Sequence, residues 1–147
     1  MAVNPIRSQP SLSAVRRLLE AEGLPTSDLQ ASQLEHFFIA GPEEKPQGIV
    51  GLEVFADVAL LRSLVVQRGA RGRGLGHALV RHAEDYAALR HVGGIYLLTT
   101  TAEKFFQGLG YKSVARCDAP VSIQQTREFA SLCPASSAFM MKRLKAR

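Results

Sequence analysis

VALLRSLVVQRGARGRGLGHALV, residues 58–80, holds a complete strand, loop and helix. Val58 to Val66 is an aliphatic run broken only by Arg62 and Ser63. Gln67 to Arg73 is polar and basic. From Gly74 onward, Leu75, Ala78, Leu79, Ala83 and Tyr86 recur at near-helical spacing. Gly72, Gly74 and Gly76 carry no Cβ, so a ligand can approach the backbone there. The first N–H groups of a helix have no intrahelical partner, and the helix dipole favours anions at that end. Arg68, Arg71 and Arg73 add positive charge to the same spot. These properties predict a phosphate or pyrophosphate site.

Two common phosphate motifs are absent. G-x-x-x-x-G-K-[ST] does not occur, which argues against a nucleoside triphosphatase. Gly72-Arg73-Gly74 begins a G-x-G-x-x-G fingerprint, but position 77 is His. No acidic ribose partner follows about 20 residues on. Arg71-Gly72-Arg73-Gly74-Leu75-Gly76 instead resembles the [QR]-x-x-G-x-[GA] acyl-CoA signature of the GNAT superfamily of N-acetyltransferases. Leu61 to Val66 is similar to that family's central strand. The resemblance implies acetyl-CoA as co-substrate, held by Leu64, Val66, Arg71, Gly72, Arg73, Gly74, Leu75 and Gly76. It also implies that the Leu64 backbone N–H is the catalytic oxyanion donor.

The 147 residues suit one domain, expected to span 1–147, and 46% hydrophobic content is a globular value. No apolar run approaches the ~20 residues needed to span a bilayer. The first residues lack the apolar segment of a secretory signal. Two cysteines, Cys117 and Cys133, are too few for a disulfide framework. A cytoplasmic protein that does not associate with membranes is expected. The net charge of +5 raises nucleic acid as a partner. The few aromatics are not interleaved with the basic residues, so no nucleic-acid partner is expected. Much of the charge lies in residues 68–81 and 142–147, and the loop cluster suits the three phosphate groups of coenzyme A. Either a monomer or a homodimer is compatible with the sequence.

Along the chain, a strand is expected over 3–7. A helix is expected over 11–22, capped by Ser11 or Ser13, with Leu12, Val15, Leu18 and Leu19 as its stripe and Gly23 and Pro25 as its stop. A short helix over 26–33 and strands over 35–40 and 48–55 follow. Ala56-Asp57 turns the chain into the central strand. The helix of 74–91, ended by Gly93-Gly94, leads to a strand over 95–100 that should lie parallel to the central one. A helix over 102–109, a strand over 111–116, helix within 121–132 and a strand over 137–144 complete the chain. This order predicts an α/β fold. Its GNAT-like mixed, mostly antiparallel sheet has six to seven strands, with helices on both faces.

Acetyl transfer to an amine needs a deprotonated nucleophile, an oxyanion donor and a tolerable leaving group. A two-residue turn at Ala56-Asp57 pairs Glu53 with Leu60 and puts Arg62 diagonal to Glu53 on one sheet face. The two residues form a structural ion pair, mark a solvent-exposed sheet end, or line the acceptor pocket. In the last case Glu53 orients or deprotonates the amine and Arg62 binds an acceptor carboxylate. Phe106 stands where many GNAT enzymes carry a Tyr acid, and Thr99 to Thr101 stand where the family often has Asn. Tyr111 is expected to pack in the core. The spacing of His77 and His82 does not suit a metal site, and none is expected.

A narrower resemblance rests on Arg116, Pro120, Thr126, Glu128-Phe129 and Leu132-Cys133-Pro134. These are similar to a small GNAT branch found with arsenic-resistance genes, which implies detoxification of an amino-acid-like compound. The expected acceptor is a small-molecule amine. A protein N-terminus or lysine is the alternative enzymatic acceptor, and a non-catalytic acyl-CoA-binding or sensing module is the alternative of another class.

Overall fold

Residues 6–23, 26, 29–72, 74–127, 129–130 and 137–144 are described in a computed structural model of the chain. Its strands are β1 (Ile6–Ser8), β2 (Phe37–Ala40), β3 (Gly48–Phe55), β4 (Val58–Val66), β5 (Gly94–Thr99), β6 (Lys112–Ser113) and β7 (Ala138–Arg143). Its α-helices are α1 (Leu12–Ala21), α2 (Leu75–Leu89), α3 (Glu103–Gly108) and α4 (Val121–Gln124). Short 3-10 turns cover Ala31–His36, Arg68–Ala70 and Arg116–Asp118. The seven strands form one mixed, mostly antiparallel sheet in the order β1-β2-β3-β4-β5-β7-β6. The parallel pairing expected of the βαβ unit is present, with Val58, Ala59 and Leu60 opposite Gly94, Ile95 and Tyr96.

The chain divides into two compact units, Met1–Glu53 with Leu61–Tyr86, and Val54–Leu60 with Ala87–Arg147. In the first, Ser11 caps α1 by accepting from the Ala14 N–H at 3.2 Å. The α1 stripe of Ala14, Val15, Leu18 and Leu19 is buried against Phe37, Ile39, Ile49 and Val65. Phe38, one residue out of phase in β2, meets His82 and Tyr86 of α2 edge-on at 4.8 and 4.9 Å. Successive strand residues face opposite ways, so α1 and α2 cover opposite faces of β2. Gly51 is required by packing. A Cβ there would lie 2.4 Å from the ring of Phe37, its register partner.

In the second unit Leu60, Ala119, Ile123 and Phe139 form a core with Phe55, Val58, Tyr96, Leu98, Val114 and Phe129. Arg116 lies 5.6 Å from the Phe129 ring centroid and donates to the Ser137 carbonyl at 2.9 Å. Thr126 is buried and donates to the Ile123 carbonyl at 2.7 Å. Three residues of the narrower resemblance therefore have packing roles here.

Several boundaries differ from the sequence expectations. Glu35 and His36 belong to a 3-10 turn that precedes β2, not to the strand. Gln33 Oε1 accepts from the Gln30 N–H at 2.6 Å and tightens that turn at its start. The helix α2 ends at Leu89 through left-handed His91 (φ 65°), before Gly93 is reached. The strand expected over 111–116 pairs only at Lys112 and Ser113, because Arg116 already starts a turn. Residues 3–5, Pro25, Ser27, Asp28, Arg73, Glu128, 131–136 and 145–147 lie outside the described residues. Parts of six expectations fall there: the first strand, the stop of α1, the helices over 26–33 and 121–132, the binding signature at Arg73, and the narrower resemblance at Glu128 and Leu132-Cys133-Pro134. No helix among the described residues is long and apolar enough to cross a membrane.

Candidate functional site

The first unit holds the strand end, the loop and the start of α2. Gln67 begins the loop, and its N–H donates to the Gln47 carbonyl at 2.8 Å. The Arg68–Ala70 turn buries Ala70 beneath otherwise exposed residues. Gly72 and Gly74 both adopt left-handed backbone, φ 84° and 77°, where a side chain is strained. At neither position would a Cβ meet any protein atom within 4 Å. The space above this backbone is open to a ligand. Gly76 is half-buried. The Leu75 side chain turns into the core, near where a Gly48 Cβ would be, so its contribution to a ligand would come through its backbone.

Arg71 is exposed but engaged. Its Nε donates to the Val66 carbonyl at 3.0 Å and its Nη2 to Glu22 at 2.7 Å. Arg73 lies outside the described residues. Two of the three loop arginines are thus placed, and one of them is tied to the end of the strand whose backbone the sequence singled out.

Within β4 the backbone departs from regular geometry. Ser63 has φ 61°, a left-handed conformation rare for a residue with a side chain. Arg62 Nη1 bonds Glu53 Oε2 at 2.9 Å, while Val65 belongs to the same buried cluster as Ile49. Glu53 and Ile49 share a face of β3, so Arg62 and Val65 share a face of β4 although they are three apart. A strand of period two allows that only with one extra residue, a β-bulge at Ser63. Leu64 and Val66, both half-buried, follow directly.

The ion pair beside the bulge is enclosed. The Arg62 side chain is 1% exposed and that of Glu53 17%. Arg62 Nε also reaches Ser63 Oγ at 3.1 Å. A charge this buried needs its partner, and Glu53 is the more open of the two. The bulge and the tie between Arg71 and Glu22 were not anticipated from sequence. The only visible signal for the bulge was the Arg62-Ser63 break in an aliphatic run.

Phe106 and Tyr111 belong to the second unit. Both are buried, and their rings meet edge-on at 5.4 Å. Tyr111 thus sits in the core. Thr99 Oγ1 accepts from the Ala102 N–H at 2.9 Å and serves the approach to α3. His36 Nδ1 lies 2.6 Å from the Tyr86 hydroxyl. No group of three His, Cys, Asp or Glu side chains that could hold a metal occurs among the described residues.

Residues 9–111 match the acetyltransferase (GNAT) family. Over 111 residues, 71% of each chain, the sequence is 29% identical to an uncharacterised N-acetyltransferase of Chlorobaculum tepidum. An 84-residue match to N-acetylaspartate synthetase of Xenopus tropicalis is 36% identical, covering 53% of this chain and 31% of that one. The fold is similar to that of N-acetylglutamate synthase from Neisseria gonorrhoeae, solved with coenzyme A and N-acetylglutamate. There the TM-score is 0.81 at 21% identity, over 99% of this chain and 36% of that one. The chain spans about a third of the length of these two synthases.

Proposed function

Because the chain belongs to the acetyltransferase (GNAT) family, we propose that this acetyl-CoA-dependent N-acetyltransferase acts on a small, amino-acid-like amine. The observation that carries the proposal is the enclosed Glu53–Arg62 pair beside the Ser63 bulge. A left-handed non-glycine residue costs about 1–3 kcal/mol and persists where surrounding structure enforces it, often at functional sites. Arg62, bonded to both Ser63 and Glu53, is part of that enforcement.

The loop fits acetyl-CoA. Gly72 and Gly74 leave open the space that side chains would fill, and α2 begins directly after them. Gly72, Gly74 and Gly76 are assigned to the pyrophosphate with Leu75 through its backbone, and Arg71 and Arg73 to phosphate charge. Val66 is assigned to the pantetheine arm. Acetyl-CoA supplies an activated acetyl thioester. The chain's own contribution begins at Leu64, whose N–H is assigned to the carbonyl oxygen as negative charge develops on it. Glu53 accepts the proton of the incoming amine, directly or through one water. Arg62 takes an acceptor carboxylate, sharing its guanidinium with Glu53. Phe106 has no proton to give, so no side-chain acid is assigned. A thiol of pKa about 8.5 leaves tolerably without one near neutral pH.

Two similarities support a carboxylate-bearing acceptor. One relative is named for N-acetylaspartate synthesis, and a neighbour in fold was solved with N-acetylglutamate. An arsenic-containing amino acid belongs to the same chemical class, and the narrower sequence resemblance supports testing it.

The test is a panel of amines incubated with acetyl-CoA, followed by thiol release and product mass. It should contain α-amino acids, their decarboxylated counterparts, an arsenic-containing amino acid, and peptides with free N-termini or lysines. At least one amino acid should exceed its decarboxylated counterpart in kcat/KM by roughly 10- to 100-fold, the span of one charge-assisted hydrogen bond. Equal rates for the two sets, or a preference for peptides, would contradict the proposal.

A further inference from the structure

Glu22 follows the last turn of α1, at the end where the helix dipole disfavours a carboxylate. Its backbone N–H is already bonded to the Leu19 and Glu20 carbonyls, so the cap itself does not require an acidic side chain. The carboxylate instead reaches 49 positions along the chain to Arg71, with Oε1 2.7 Å from Nη2. The same guanidinium holds the Val66 carbonyl through Nε at 3.0 Å. Arg71 therefore closes the Val66–Arg71 loop onto its own strand, and Glu22 fixes the closing group from outside.

The pair is open, with Arg71 52% and Glu22 21% exposed. Exposed ion pairs contribute little to folding, so its effect should lie in what it orients. A carbonyl has two lone pairs. Arg71 takes one at Val66 and leaves the other for a ligand amide.

We infer that Glu22 is a positioning residue for acetyl-CoA. It holds Arg71 across the Val66 carbonyl, so that the loop N–H groups and the guanidinium are set before the pyrophosphate arrives. Order already present in the free protein is not lost on binding, and affinity rises accordingly. The inference rests on the assignment of residues 71–76 to the pyrophosphate.

A calorimetric double-mutant cycle with coenzyme A, run on the full chain, tests it. Glu22→Gln keeps size and removes charge. It should weaken binding about tenfold, the loss of one charge-assisted hydrogen bond, with little change in melting temperature. Arg71→Ala should weaken binding at least as much, and Glu22→Gln should then add nothing, because its effect runs through Arg71. Additive losses would overturn the inference, as would unchanged affinity in Glu22→Gln. Tighter binding would also overturn it, since Glu22 would then compete with phosphate for Arg71. Unchanged affinity in Arg71→Ala would remove the pyrophosphate assignment itself, which separates the two failures.

Discussion

Glu53→Gln should lower turnover of the acceptor by roughly 10²- to 10⁴-fold, the range of general acid–base catalysis, while acetyl-CoA affinity stays the same. The substitution keeps shape and some hydrogen bonding but cannot accept the amine proton. It has a second consequence that must be separated from the first. The Arg62 side chain is 1% exposed and Glu53 Oε2 lies 2.9 Å from it. Removing the carboxylate leaves a buried charge without its counterion, which costs up to about 3–5 kcal/mol of stability. The double variant Glu53→Gln with Arg62→Gln removes both charges. It should recover much of the melting temperature and none of the rate. Full turnover in a folded Glu53→Gln protein would make the pair purely structural.

Gly74→Val should abolish measurable coenzyme A binding. At φ 77° a β-branched residue is strained wherever it points. The free protein itself offers no clash, because nothing lies within 4 Å of the new Cβ. The lost affinity then reports the ligand meeting a side chain where it needs bare backbone. Backbone strain of about 1–3 kcal/mol accompanies the change and should appear as a lower melting temperature. Gly23 provides the comparison, since its φ is 71° and a Cβ there also meets nothing within 4 Å. Gly23→Val should show similar strain with binding retained to within the roughly tenfold loss expected if the adjoining Glu22 is disturbed. Normal coenzyme A binding in Gly74→Val would place the pyrophosphate elsewhere.

The strand–loop–helix core of the fold was legible because its periodicities are clean. The aliphatic run ends where charges begin, and α2 repeats its apolar residues at helical spacing. The Glu53–Arg62 contact was legible too, since a two-residue turn at Ala56-Asp57 fixes the register on its near side. The bulge was not. Ser63 carries no glycine signal, and its left-handed conformation comes from tertiary packing that brings Arg62 and Val65 to one face. Short-range pattern was also insufficient for β6, where Tyr111 and Val114 look like strand residues. Register pairing to β7 covers Lys112 and Ser113, opposite Met141 and Met140, and ends with the Val114 N–H donating to the Phe139 carbonyl at 2.9 Å. The partnership of Arg71 with Glu22 joins residues 49 positions apart, and neither sequence spacing nor composition announces it.

The central assignment, that residues 64–76 hold acetyl-CoA through their backbone, is tested most directly by amide NMR. Coenzyme A titrated into the ¹⁵N-labelled full chain should shift the amides of Leu64, Val66, Gly72, Gly74 and Gly76 most strongly. Glu53 and α1 should respond less. Saturating binding that leaves those five amides unmoved, with the largest shifts in residues 87–144, would contradict it.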